Sequence, residues 1–241
     1  MPQPRCVVPE ALDELAPDDP QAQRSRRDLR RIHRVMGSIA WLKRAIARLP
    51  MSRPPRTLIE LGAGDGSLLL RLARAIGPQW RGLQLTLLDR RPCVGENTLQ
   101  AFRELGWHAN VVCEDALEWA RSTEAARYDL CVASLFLHHF EGDSLDGLLN
   151  GISRRSDAVV AIEPRRDAVA AAGSHLVAFL GANAITRGDA VKSVEAGFAA
   201  TEIGDRWRVN DGDWWTDEFR AWPFSHAFMA VRRRAPGESD R

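Results

Sequence analysis

Three carboxylates and a run of glycines carry the first chemistry legible in these 241 residues. The stretch Leu58-Ile59-Glu60-Leu61-Gly62-Ala63-Gly64-Asp65-Gly66-Ser67 takes an apolar strand straight into a glycine-rich turn and then a helix. Glycines without Cβ atoms let the backbone bend sharply and approach a ligand closely, and the helix start behind them offers unpaired N–H groups. The spacing is GxGxG with an acid two residues before the first glycine, unlike the GxGxxG of dinucleotide binders. An acid at Glu60 suits a ligand with an ammonium group and would repel a pyrophosphate, which weighs against a nicotinamide-dependent oxidoreductase.

Led by Glu60 and built from Gly62, Ala63, Gly64 and Gly66, the motif resembles the first motif of the class I S-adenosylmethionine-dependent methyltransferases, acid-x-Gly-x-Gly-x-Gly. The resemblance implies S-adenosylmethionine as cofactor and predicts two further acids. One should end the second strand, where two ribose hydroxyls need a bidentate acceptor, and Leu87-Leu88-Asp89-Arg90 supplies Asp89 with Arg90 beside it. The other should follow the third strand and meet the adenine amine. Cys113-Glu114-Asp115-Ala116 offers Asp115 with Ala116 beside it, or Glu114 in its place. Asp89 and Asp115 also have a plainer use, as helix caps.

In open α/β sheets the ligand crevice lies beyond the carboxyl ends of the strands, so the end of the fourth strand should face the transferable methyl. It reads Ala133-Ser134-Leu135-Phe136-Leu137-His138-His139-Phe140, which sets Ser134 at the cofactor. The Asn/Asp-Pro-Pro-aromatic stretch of amide-nitrogen and base methylases does not occur here. From Leu135 to Phe140 the chain instead resembles the small-molecule branch, similar to ubiquinone- and menaquinone-type methyltransferases and to those found with bacterial polyketide pathways. The likeness runs from about Asp28 to Arg232, and Asn183–Arg187 and Trp222–His226 add to it.

The resemblance implies methyl transfer to oxygen or carbon of a small aromatic or lipophilic metabolite. If that acceptor is a phenol or enol, an imidazole could remove its proton. His139 is the first candidate and His138 the second, with a purely structural role open for either. Cys6, Cys93, Cys113 and Cys131 lie far apart, without a CxxC pair or a histidine at metal-ligand spacing, so reduced thiols and no metal are expected.

Such residues need a scaffold that brings strand ends together. Short apolar runs alternate with helical periods, the mark of βαβ units and a mostly parallel sheet. Strands are predicted at Thr57–Leu61, Leu83–Asp89, Ala109–Cys113, Tyr128–Ser134 and Ala158–Ile162, with helices at Ser67–Ile76 and Cys93–Gly106 and another carrying Leu145, Leu148, Leu149 and Ile152. Trp214–Trp222 and Phe224–Arg232 read as an antiparallel hairpin whose tryptophans, with Trp207, fill the sheet edge. The expected fold is therefore α/β and Rossmann-like, seven strands with helices on both faces. Before it, Leu29, Ile32, Met36, Ile39, Leu42, Ile46 and Leu49 mark one amphipathic helix, or two divided near Gly37, as a cap over residues 21–50. With a helix at Arg166–Gly181 and the loop through Arg187, that cap should roof an acceptor pocket walled by Val169, Ala172, Leu176, Phe179 and Leu180. Arg187 could pair with an acidic substituent or with Asp189.

With 45% hydrophobic and 27% charged residues, one folded domain over residues 21–232 is expected, with a flexible arm before it, at most a short helix at Glu10–Leu15, and a disordered tail at 233–241. The net charge of +1 gives no global reason for nucleic acid, which is disfavoured as a partner beside a small-molecule acceptor. Between Gln21 and Arg56, however, eleven cations face the single acid Asp28. A solvated helix face explains them, and an RNA-associated methyltransferase is the alternative reading. A degenerate fold kept for interaction conflicts with the intact Glu60, Asp89 and Asp115. The first residues lack the apolar core of a signal peptide and no run reaches a membrane span, so a cytoplasmic protein is expected, monomer or homodimer being left open by the sequence.

Overall fold

The computed structural model describes residues 4–16, 18–123, 126–207 and 213–233. Beyond Arg233 the expected tail lies outside the described residues. Seven strands form one sheet in the order β3-β2-β1-β4-β5-β7-β6. They are β1 (Thr57–Leu61), β2 (Gln84–Asp89), β3 (His108–Cys113), β4 (Leu130–Ser134), β5 (Ala158–Pro164), β6 (Trp214–Ala221) and β7 (Ser225–Arg232). Strands β1 to β5 pair in parallel, and β7 runs antiparallel to both β5 and β6. β4 and β5 are buried along their whole length, which explains why they are near-continuous apolar runs rather than alternating ones.

The helices are α1 (Ala11–Glu14), α2 (Pro20–Val35), α3 (Ser38–Arg48), α4 (Ser67–Ile76), α5 (Glu96–Glu104), α6 (Ala116–Arg121), α7 (Gly142–Arg155), α8 (Ala168–Leu176), α9 (Ala184–Glu195) and α10 (Glu202–Trp207). One face of the sheet is covered by α3, α4 and α5, whose Leu42, Leu69, Leu72 and Phe102 pack against Leu58, Leu85 and Val132. On the other, Trp119, Leu145, Ile152 and Trp207 of α6, α7 and α10 meet Ile59, Cys131 and Val159. The chain leaves β1 toward β2 and returns to β4 on β1's other side, so a crevice opens past the ends of β1 and β4.

Several expected boundaries move for local reasons. The N-terminal cap is two helices: Asp19 accepts from Gln21 N at 2.6 Å to start α2, and Gly37, at φ +66°, turns the chain into α3. α5 begins three residues later than expected because Cys93 N donates to Gly64 O at 2.9 Å, holding that segment against the glycine turn. The helix expected over Arg166–Gly181 is only α8 followed by a 3-10 turn at Val177–Leu180. Arg166 lies outside it because Asp167 is extended and caps α8, accepting from Ala170 N at 2.9 Å. Trp207 and Trp214 meet edge to face at 5.1 Å and fill the sheet end as expected, whereas Trp222, 66% exposed, stands out at the hairpin.

Candidate active site

Past the ends of β1 and β4 lies a cleft of about 650 Å³. Glu60, Gly62, Ala63, Gly64, Asp89, Arg90, Asp115, Ala116, Ser134, His138 and His139 all line it, so nearly every residue singled out in the sequence converges on one space. Within the glycine turn Gly66 is the exception. It sits behind the turn, where a Cβ would press on Leu87 at 3.3 Å.

The glycine turn has the geometry its composition implies. Gly62 has φ +72°, and a Cβ there would lie 2.3 Å from Phe136 Cδ2, so only glycine fits. Gly64 has φ +54° with nothing within 4 Å of a Cβ position, which leaves its backbone open on the cleft side. Asp89 steadies the turn: Gly64 N donates to its Oδ2 at 2.8 Å and Arg91 N to its Oδ1 at 2.7 Å. Asp115 both lines the cleft and caps α6, accepting from Leu117 N at 2.7 Å, so the cap does not take it out of the cleft. Glu114, the alternative to Asp115, is not among the lining residues.

Glu60 is fully enclosed, and its Oε2 has no hydrogen-bond partner. Burial, reinforced by Asp65 and Asp89, pushes its carboxyl well above the ordinary carboxylate range. A cation brought to that unpartnered oxygen would offset the cost of ionising it. Ser134 Oγ is likewise buried and unpartnered. These two orphaned groups and the open face of Gly64 fit a ligand with one cationic end.

The histidine pair divides into two environments. His138 is buried between two carboxylates, with Nδ1 2.8 Å from Glu163 Oε2 and Nε2 3.4 Å from Glu10 Oε1. Burial alone would lower its pKa, but the hydrogen bonds and charges of Glu10 and Glu163 prevail and raise it to about 9. His139 is half-buried, its pKa lowered by desolvation and then by the charge of His138. At neutral pH His138 is an imidazolium and His139 a free base. Polar atoms of Glu10, His138 and His139 gather within 4.8 Å of one another, the composition of a metal site, and the protonated His138 places one positive charge between its two carboxylates.

Sequence reasoning missed Glu163 and the arm. Glu163, at the end of β5, accepts from Phe136 N at 3.1 Å, Leu137 N at 3.0 Å and His138 Nδ1, and so fixes the turn that presents both histidines. Leu135 enters that turn at φ +52°, strained for a leucine. An acid directly after the apolar run Ala158–Ile162 was the available signal. The arm lies across the cleft: Arg5 Nε donates to Ala196 O at 2.9 Å, Lys192 Nζ to Pro9 O at 2.7 Å, and Ala11 N to Asp189 Oδ1 at 2.8 Å. From the opposite rim Arg91 Nη1 donates to Asp13 O at 2.7 Å. Asp189 therefore serves the arm and not Arg187, for which it was one of two partners the sequence left open.

Beside the cleft is a second, apolar chamber of about 250 Å³ between α2, α8 and α9. Glu10, Leu12, Leu29, Leu135 and Ser193 line both spaces. α2 is the partition, turning Arg26, Arg30 and His33 to the cleft and Ser25, Ile32 and Met36 to the chamber. Of the five residues expected to wall an acceptor pocket, Leu176 and Leu180 line this chamber, while Val169, Ala172 and Phe179 are exposed. The opposite stripe of α8, Ala170, Gly173 and Ser174, faces the chamber.

Residues 58–158 match the family model described as a methyltransferase domain. The fold is the Rossmann-like methyltransferase fold. The plantazolicin methyltransferase BpumL in complex with SAH superposes with TM-score 0.64 at 14% identity, over 90% of this chain and 92% of that one. An O-methyltransferase family protein from Burkholderia thailandensis gives TM-score 0.57 at 17% identity, over 92% of this chain and 62% of that one. Magnesium protoporphyrin IX methyltransferase from Synechocystis PCC 6803, with bound SAH, gives TM-score 0.50 at 18% identity, over 86% of each chain. No curated protein sequence matches the chain. The family match bears out the expectation of a methyltransferase, and the structural neighbours bear out its fold.

Proposed function

We propose that the protein transfers a methyl group from S-adenosylmethionine to oxygen or carbon of a small aromatic or lipophilic molecule. The observation that carries this reading is the convergence of Glu60, Asp89, Asp115 and the glycine turn on one cleft that adjoins an apolar chamber. Several solved neighbours that share the fold hold SAH, the demethylated form of that donor.

Bound in the cleft, S-adenosylmethionine supplies a methyl group on a sulfonium, an electrophile that departs from a neutral thioether. Glu60 holds the cationic amino-acid end through the oxygen that otherwise has no partner. Asp89 takes the ribose hydroxyls while keeping Gly64 in place, and Asp115 with Ala116 receives the adenine edge. The acceptor lies with its apolar body in the chamber and its reacting atom at the wall shared by Leu135 and Ser193. Holding acceptor and donor collinear contributes roughly 7–11 kcal/mol, the largest share of the rate. For a hydroxyl acceptor, His139 takes the proton on Nε2, its Nδ1 being turned toward Asp13 at 3.7 Å. His138, protonated and clamped, positions the turn and keeps its neighbour neutral.

Titration calorimetry with S-adenosylhomocysteine and with NAD tests the donor: heat is expected from the first alone. Transfer of labelled methyl to phenolic and alkylated aromatic acceptors tests the other half. Binding of NAD without S-adenosylhomocysteine would overturn the reading.

A further inference from the structure

Two residues lining the apolar chamber remain exposed: Val35, at 50%, and Leu176, at 56%, and they mark its mouth. One helical turn past Leu176, Phe179 is 86% exposed and lines neither space. An apolar rim around the opening of an apolar chamber is costly to leave in water unless something covers it.

The adjoining surface of α2 is basic. Arg24, Arg27, Arg31 and Arg34 are all exposed, and at 100° per residue they share with Val35 an arc of about 100°. Asp28, the helix's only acid, lies outside that arc and is buried, bonded to Arg31 at 2.9 Å and to Asn183 N at 3.0 Å. Across the mouth, Ala168–Leu180 carries no acid. A cationic stripe running into aliphatic and aromatic side chains fits a surface that is anionic at its headgroups and apolar beneath.

We propose that this face, the solvent side of α2 together with Leu176 and Phe179, docks on an anionic lipid bilayer and opens the chamber toward it. Arg24, Arg27, Arg31 and Arg34 meet the headgroups, and Phe179 and Leu176 enter the interface. A lipophilic molecule then passes from the bilayer to the chamber without crossing water. RNA is the competing occupant for the arginines, but it has no use for the aliphatic rim. Membrane docking goes beyond methyl transfer and is read without donor or acceptor, so its failure leaves that proposal standing.

Vesicle flotation of the full chain tests it, using phosphatidylcholine with and without phosphatidylglycerol. Binding is expected only with the anionic lipid and should weaken with salt. The double variant Arg24→Ala/Arg27→Ala should lose roughly thirtyfold in partition, and Phe179→Ser about tenfold. Phe179→Leu, apolar but unable to stack on bases, should retain binding. Melting curves matching the parent's exclude unfolding. Absence of partition, partition indifferent to both the arginine and the serine variants, or capture of single-stranded RNA in preference to vesicles each overturns the proposal.

Discussion

Glu10 Oε1 lies 3.4 Å from His138 Nε2, and this contact joins the arm to the floor of the cleft. On the far side of the ring, Glu163 holds Nδ1 at 2.8 Å. An imidazolium between two carboxylates is thus part of the closure, and closure inherits its titration.

His138 should titrate near 9, against an ordinary value of about 6.5. Because the folded value is the higher, the stabilisation is complete below about 6.5 and is lost as pH rises through 9, at most about 3 kcal/mol. Glu10 has the opposite sign. Burial would raise its pKa, but the hydrogen bond and charge of His138 lower it. Its contribution is therefore present above about 4.5 and disappears as pH falls through the depressed value. The arm should be held most firmly between these limits. An NMR titration of His138 checks this: Glu10→Gln should bring the midpoint down, while Glu163 keeps it above the ordinary value. A midpoint near 6.5 in the parent would mean that the clamp is absent.

The glycine turn separates folding from binding at adjacent positions. Gly62→Ala forces a Cβ to within 2.3 Å of Phe136 at a left-handed φ, and should lower stability by more than about 2 kcal/mol. Gly64→Ala meets no atom within 4 Å and should cost only about 1 kcal/mol. That new methyl faces the cleft, however, and should weaken S-adenosylhomocysteine at least tenfold. Thermal melts together with calorimetry distinguish the two effects, and equal loss of stability in both variants would contradict the geometry.

What the sequence made legible follows from how locally each feature is encoded. The sheet could be read because β1, β4 and β5 are buried on both faces and run apolar until Glu60, Ser134 and Glu163 near their carboxyl ends, and because Gly62 and Gly64 are conformational requirements of one turn. The site could be read because its acids end strands that the topology brings to a single edge. The arm could not. Its anchors are backbone groups of Pro9, Ala11 and Leu12 meeting side chains about 180 positions away, and no periodicity records such pairs. α8 misled for a subtler reason: an all-round apolar helix has no evident inner face, so Phe179 looked like a wall and Gly173 did not.

His139 and His138 should respond differently to replacement. His139→Ala removes the neutral imidazole at the cleft and should reduce turnover of a hydroxyl acceptor by about 10²–10⁴, with S-adenosylhomocysteine affinity kept. Its lowered pKa sets the sign of the pH profile: activity should fall on the acid side, as the ring gains its proton. His138→Ala leaves Glu163 and Glu10 facing a vacancy, and should first appear as lost stability and a loosened arm. Full turnover by His139→Ala on an oxygen acceptor would remove it as the base.

The chamber offers the sharpest test of where the acceptor binds. Ala190, half-buried on α9, lines the chamber and not the cleft, so a larger side chain there competes with the acceptor alone. Ala190→Phe fills a substantial part of the 250 Å³, and the free volume lets α9 keep its place. The apolar burial withheld from the acceptor, about 1.5–3 kcal/mol, corresponds to a rise in its KM of at least tenfold. S-adenosylhomocysteine should bind as before, because Glu60, Asp89 and Asp115 lie beyond the partition formed by α2. If KM stays constant for a phenolic acceptor that the parent turns over, the acceptor body lies elsewhere, and Leu29 and Leu135 bound the donor cleft without serving a second site.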